Sequence, residues 1–404
     1  MAEKVNAPED GKQSAKAPDA PIEVCSSGTG GDWFVVKSTA ADDKDTKFMK
    51  QDRWEEILID LLNAQNLAVL AGSGTSLGPR ANGPSMKDLF AAVKGHVDFN
   101  KVLQLAKHDQ KDENIENLLS RCKSSLPFIA DADRSVVECF VKHSEKLIAQ
   151  KCNSFLGAAD LSTHQIFLRR LGRRSTTRPR LKLFTTNYDL SFERAASQIQ
   201  CPVIDGFSFS SPRSFSPRFF GYDFVRRGVD TTSSPDFVEG VFHLYKLHGS
   251  VDWERANNEI VRVEGTETPC LIYPAATKYE QSYSQPYLEM MSQFLASVRG
   301  ANTTLLVVGF GFNDDHLAQP ILAAVRSNAG MRLLVVDPSA KAKIGSGDAP
   351  YHDELKAFID EKDERVTVVN STFDAFTRYV PDLARRTLEE RLAEAVQRVT
   401  KARQ

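Results

Sequence analysis

The chain has no paired cysteines. Its six (Cys25, Cys122, Cys139, Cys152, Cys201 and Cys270) stand singly, without a CxxC. That argues against a structural zinc site of paired thiolates and against a disulfide scaffold. Net charge is equally scarce: 51 basic residues against 53 acidic ones leave −2. There is no global basic field, so any nucleic-acid contact requires a local patch. No apolar run is long enough to cross a bilayer, and the N-terminus lacks a signal-peptide pattern. A cytoplasmic protein without membrane contact is expected. No internal repeat is found, and 404 residues suffice for one large domain or two smaller ones.

What is present is a patterned α/β chain. Residues 1–50, rich in Ala, Pro, Lys, Asp, Gly and Ser, are expected to be disordered or a docking segment, with Trp33–Val36 as a short apolar block. From Gln51, the residues Trp54, Ile57, Leu58, Leu61 and Leu62 recur at helical spacing. Continuous apolar runs at Leu67–Ala71, Leu181–Phe184, Val241–Leu247, Thr304–Val308, Leu333–Val336 and Val366–Val369 predict a parallel sheet. Strands buried on both faces read this way. The expected fold is therefore a Rossmann-like parallel sheet covered by helices on both faces, spanning residues 51–380. A mostly helical insertion is expected at about 91–175. Residues 381–404 carry Leu388, Leu392, Val396 and Val399 on one stripe and predict a C-terminal amphipathic helix.

Polar clusters stand where the apolar runs stop, and ligands of open α/β sheets bind outside the carboxyl ends of strands. "LAVLAGSGTSLG" ends its strand at Ala71 and continues through Gly72, Gly74, Thr75 and Ser76. Glycines there let backbone approach a ligand, and successive N–H groups cradle phosphate. No lysine follows, so this is not an ATP-binding P-loop, and Gly78 falls one residue late for the dinucleotide fingerprint. "LFTTNYDLSF" places Thr185, Asn187 and Asp189 together; a helix cap from Asn187 or Asp189 fits as well as a ligand contact. "LYKLHGSVDW" places His248 at a strand end, as a structural imidazole or a general base. "LLVVGFGFNDDHL" repeats the glycine logic at Gly309 and Gly311, with Asp314 or Asp315 as a cap. Asp337 ends the next strand, as a ribose ligand or a turn starter before Pro338.

These four pieces, in this order over roughly residues 55–340, resemble the sirtuin family. The glycine–serine loop is "AGSGTS", the Thr-x-Asn-x-Asp segment is Thr185–Asp189, the Leu-His-Gly is Leu247–Gly249, and the late glycine loop is "GFGFND". The resemblance implies NAD as substrate, with Asn187 and His248 as catalytic residues at the nicotinamide ribose. Ala71, Gly72, Gly74, Thr75, Ser76, Thr185, Asp189, Gly309, Gly311 and Asp337 would bind the rest. The chain departs from the protein-deacylase branch. That branch places a zinc module of two cysteine pairs between the His-Gly and the late glycine loop, where only Cys270 stands here. Pro84, Ser85 and Met86 replace its Ile-Pro-x-Phe-Arg. No zinc ribbon and no metal ligand are therefore expected. "NYD" and "VVGFGFNDDHL" look like the prokaryotic defence branch, which cleaves NAD without an acyl-lysine acceptor.

The leading expectation is an NAD glycohydrolase acting in antiphage defence. The alternatives are an NAD-dependent protein deacylase and a non-catalytic NAD or ADP-ribose sensor. By size and branch the chain resembles the sirtuin subunit that partners a HerA-type hexameric ATPase. A homo-oligomer gated by that ring is expected, with nucleic acid reaching it through the partner. Two arginine-rich stretches, "RRLGRRSTTRPR" and the Phe/Arg-mixed Gly206–Phe237 loop, fit either a nucleic-acid or acidic-protein contact or a solvated face and a lid.

Overall fold

The apolar runs become adjacent strands of one sheet. The structure, a computed structural model, describes residues 21–37, 47–227, 236–271 and 285–383. In chain order the strands are β1 (Glu23–Ser26), β2 (Phe34–Lys37), β3 (Phe48–Lys50), β4 (Asn66–Ala71), β5 (Leu181–Thr185), β6 (Val203–Ile204), β7 (Val225–Arg226), β8 (Asp236–Phe237), β9 (Phe242–Lys246), β10 (Gly249–Ala256), β11 (Glu259–Arg262), β12 (Pro269–Leu271), β13 (Thr303–Val308), β14 (Met331–Val336) and β15 (Val366–Asn370). The main sheet has the order β3-β2-β1-β15-β14-β13-β4-β5-β9-β6. From β15 to β6 every pairing is parallel, in registers such as Val69↔Leu183, Leu306↔Val69 and Leu183↔Leu244.

Because strand side chains alternate, each apolar run feeds two cores. Leu67, Val69, Leu183, Leu306, Val308 and Leu334 face one layer of helices. It comprises α1 (Gln51–Leu62), α6 (Ser162–Gly172), α7 (Ser191–Gln198) and α12 (Phe373–Tyr379). Leu70, Phe184, Leu305, Val307 and Leu333 face the other, made of α8 (Tyr287–Arg299), α9 (Asp315–Ser327) and α11 (Pro350–Asp360), with the short α10 (Ala340–Lys343) beside them. The α/β fold with both faces covered is thus realised.

Two boundaries differ from expectation. The helical insertion comprises α2 (Met86–Val93), α3 (Phe99–Leu105), α4 (Ile115–Ser125) and α5 (Asp131–Ser154), which share a core around Val93, Val102, Leu119 and Phe140. The next helix, α6, packs Phe167, Leu168 and Leu171 on the sheet instead. Periodicity reveals an apolar face but not which core receives it. At the N-terminus, order begins well before Gln51. β1 pairs antiparallel with β15 (Val24↔Val369), β2 with β1, and β3 runs parallel to β2. Averaged composition hid Ile22 and Val24, which the sheet edge buries together with Val36 of the apolar block. The expected C-terminal helix lies outside the described residues.

The arginine-rich stretches are largely tied down within the chain. Arg170 donates to the carbonyls of Thr377, Arg378 and Val380, Arg174 to those of Ala64 and Gln65, and Arg180 holds Asp223 with two hydrogen bonds. In the Gly206–Phe237 loop, Phe207, Phe219 and Phe220 are buried, and Phe220 stacks on Tyr245 at 4.3 Å between centroids. These rings are core, not a stacking platform for bases. β10–β12 form a small antiparallel sheet within the Gly249–Gly309 interval. Among the described residues, no helix is long and apolar enough to cross a membrane.

Candidate functional site

The strand order reverses between β4 and β13: β5 and β9 continue to one side of β4, and β14 and β15 to the other side of β13. Loops leaving the carboxyl ends of these two strands diverge and open a crevice, the general ligand position of such sheets. Here the crevice is an open cleft. Its floor is Ser73, Ser76, Asn187, His248 and Gly309–Gly311, and the insertion supplies Asn114, Glu116 and Cys152 as a wall.

The glycines build the floor by packing on one another. A Cβ on Gly72 would lie 2.5 Å from the Gly309 carbonyl oxygen, and one on Gly74 would lie 2.7 Å from Gly309 Cα. Gly309 has φ +63, and a Cβ there would meet the Thr75 nitrogen at 2.6 Å. The N–H groups of Gly72, Gly74, Thr75 and Ser76 donate to the carbonyls of Val308, Gly309, Gly72 and Ser73. All four protons are thus already hydrogen-bonded, two across to the end of β13 and two within the turn itself, against the expected phosphate cradle.

That contact positions the hydroxyls that fix Asn187. Thr75 Oγ1 donates to the Gly72 carbonyl (2.8 Å), and Ser76 Oγ donates to Asp189 Oδ2 (2.9 Å). With both protons spent, the two hydroxyls can only accept, and each accepts from Asn187 Nδ2 at 3.2 Å. The amide orientation follows: NH2 toward the loop, Oδ1 on the other side. Asn187 is 7% exposed, and its buried Oδ1 has no hydrogen-bond partner. Leaving a buried acceptor unpaired costs about 1–3 kcal/mol, a cost that marks a group kept for a ligand.

The rest of "TTNYD" holds this amide in place. Thr185 Oγ1 accepts the Asn187 N–H (3.1 Å), and Asp189 Oδ1 accepts the N–H of Ser191 at the start of α7 (2.9 Å). Asp189 thus serves the loop and the helix end together. Ala71, at the end of β4, receives the Thr186 N–H at 3.1 Å. Lys246, buried in β9, donates to the carbonyls of Tyr188 and Asp189 and pairs with Glu193 at 3.0 Å. Burial raises the Glu193 carboxyl, against the lowering pull of Lys246. Tyr188 OH reaches Glu116 Oε1 at 3.0 Å and so fastens the insertion to the site. Burial pushes the Cys152 thiol well up, which leaves it unfit as a nucleophile.

His248 follows β9 and is 2% exposed. Its Nε2 lies 3.2 Å from His316 Nε2, with the rings stacked at 5.3 Å and 24°. Asp314 Oδ2 is 4.0 Å from His248 Nε2, and Asp314 Oδ1 is 3.9 Å from His316 Nδ1. Two ring nitrogens at 3.2 Å need one proton between them, so one ring donates while the other accepts. Reading the sequence missed His316 and Lys246 and gave Asp314 only a cap. The available signals were the "DDH" directly after a glycine loop and a lysine inside an apolar strand.

Asp337 does not line the cleft. One oxygen accepts the Ser339 N–H (2.8 Å), and the other accepts Lys343 Nζ (2.7 Å) and His352 Nε2 (3.0 Å). Burial raises its carboxyl, but hydrogen bonds from His352, Lys343 and Ser339 outweigh this and bring the pKa to about 2. The structure thus brings Asn187, His248, Thr75, Ser76, Thr185, Asp189 and the two glycine loops together, and it sets Asp337 in a separate polar cluster.

Three sirtuin structures are similar to the chain. They are Sir2Tm bound to a propionylated peptide (15% identity, 80% of this chain and 96% of that one, TM-score 0.37), Sir2 with the inhibitor EX-527, 2′-O-acetyl-ADP-ribose and a deacetylated p53 peptide (14%, 80% and 96%, 0.37), and a sirtuin structure addressing the basis of substrate affinity (14%, 82% and 97%, 0.37). No curated protein matches. Residues 182–357 match the family model described as the SIR2-like domain, so the stretch that carries Asn187, His248, Gly309 and Asp337 is Sir2-like.

Proposed function

We propose that the chain hydrolyses NAD to nicotinamide and ADP-ribose at the Asn187–His248 cleft. The observation that carries this reading is the Asn187 amide. It is buried, locked by two hydroxyls and left with an unpartnered Oδ1, and Asn187 and His248 line the same cleft. A buried oxygen left without a partner costs stability and marks a group kept for a ligand. A fixed acceptor and a base are what addition of water to an oxocarbenium-like ribose requires.

In this reading the nicotinamide–ribose bond breaks, the pyridinium takes the bonding pair, and neutral nicotinamide leaves. Water adds to the anomeric carbon. Asn187 Oδ1 accepts a hydrogen bond from that water and orients it, and His248 takes its proton. His316, in contact with His248 Nε2, helps spread the added charge across the pair. The Sir2-like match over residues 182–357 supports NAD as the substrate. On the resemblance of the motifs, we extend the proposal to NAD depletion as an antiphage effector, in a homo-oligomer gated by a HerA-type ATPase.

Nicotinamide release by the purified chain, alone and with that ATPase, tests the proposal. Release from wild type and its loss in His248→Ala, with melting unchanged, is the expected result. Absence of release under every condition refutes the NAD reading, and release that ignores the ATPase refutes the gating.

A further inference from the structure

The geometry points to a divalent transition-metal site, of zinc class, formed by His248, Asp314 and His316, whose occupancy silences the base. One donor atom from each of the three lies within 4.8 Å of the others. Zinc–nitrogen bonds of about 2.0–2.1 Å put two ligands about 3.3 Å apart at a tetrahedral angle. The two Nε2 atoms already stand at 3.2 Å. Asp314 Oδ2, at 4.0 Å from His248 Nε2, completes the set by rotation of its side chain. Two imidazoles and one carboxylate select zinc-class cations over magnesium or calcium, which prefer all-oxygen shells.

The ligands sit on firm supports. Asp314 immediately precedes α9 and His316 is the second residue of that helix, while His248 joins β9 to β10. His248 and Asp314 both line the cleft, so a fourth position faces the solvent-accessible side. A bound cation also clamps the loop after β13 to the end of β9, across β4 and β5. It takes the Nε2 lone pair of His248, and a coordinated imidazole accepts no proton. This runs against the expectation of no metal, which rested on cysteine spacing. The ligands here are imidazole and carboxylate from segments 68 residues apart.

The silencing rests on the NAD-cleavage reading; the binding does not. The test uses the full chain stripped with a chelator, titrated with Zn²⁺ against a chromophoric competitor and with Co²⁺ for visible d–d absorption. One equivalent per chain, a cobalt spectrum of four-coordinate type and a rise in Tm are expected. Asp314→Asn and His316→Gln should each weaken Zn²⁺ at least 10-fold while melting metal-free at the wild-type temperature. No binding, or wild-type affinity in both variants, overturns the site; the second result would move the metal to a thiol such as the exposed Cys139. Nicotinamide release should fall at least 10-fold when one equivalent is bound. Continued release from metal-loaded protein overturns the silencing. No release from stripped or loaded protein, with or without the ATPase, overturns the NAD reading, and the titration still decides the site.

Discussion

Replacing Asn187 separates chemistry from stability, because the structure gives almost no stability change for truncation to alanine and a large loss for the isosteric aspartate. In Asn187→Ala, two hydrogen bonds to Thr75 and Ser76 disappear, at about 1 kcal/mol each. Both hydroxyls keep their own donations to Gly72 and Asp189, so no proton is stranded. The unpartnered Oδ1 disappears too, which returns about 1–3 kcal/mol. The balance lies within about 1 kcal/mol of zero, and Tm should move by no more than about 4 °C. Asn187→Asp keeps the shape but turns a carboxylate oxygen toward two hydroxyls with no proton to give, beside Asp189. An uncompensated buried charge costs about 3–5 kcal/mol. Thermal melting at pH 8 and nicotinamide release measure both effects. Release should fall at least ~100-fold in the alanine variant, the scale of losing a positioned catalytic group. An alanine variant that keeps a tenth of wild-type release, or melts more than 10 °C lower, would refute the reasoning; so would an aspartate variant as stable as wild type.

Gly309→Ala should lower Tm markedly and take NAD binding with it, because the added methyl meets Thr75 N at 2.6 Å in a left-handed backbone; a stable variant that merely loses substrate affinity would restore the phosphate-cradle role. Asp337→Asn should destabilise the β14 end and leave the KM for NAD unchanged, since the carboxylate serves His352 and Lys343; a raised KM with unchanged melting would make it a ribose ligand. His164 is held between Phe192 and Phe373, and burial pushes its pKa down to about 4. Unfolding then takes up a proton between pH 6.5 and 4, so stability present above 6.5 drains away by about 3 kcal/mol as pH falls through that window. His164→Leu should flatten this part of the urea-midpoint profile, and an unchanged slope would assign the loss to other groups.

The strands and their parallel pairing were legible because a strand buried on both faces must be apolar throughout. Leu67–Ala71 and Thr304–Val308 announce that in any context. Asn187 and His248 were legible for the complementary reason: a polar group at the tip of such a strand stands out against its neighbours. What the local pattern could not hold is which tips meet. That depends on the sheet order, and β4 lies beside β13 although more than 200 residues separate them. Only this adjacency turns Gly72, Gly74 and Gly309 into packing partners, spends the loop's protons on main chain, and so fixes which side of the Asn187 amide remains available. The same arrangement brings His316 to His248, puts Lys246 under the Tyr188–Asp189 turn, and hands Asp337 to His352. Burial and hydrogen-bond satisfaction are properties of neighbours in space. A residue's type limits the partners it can take, and the tertiary fold chooses among them.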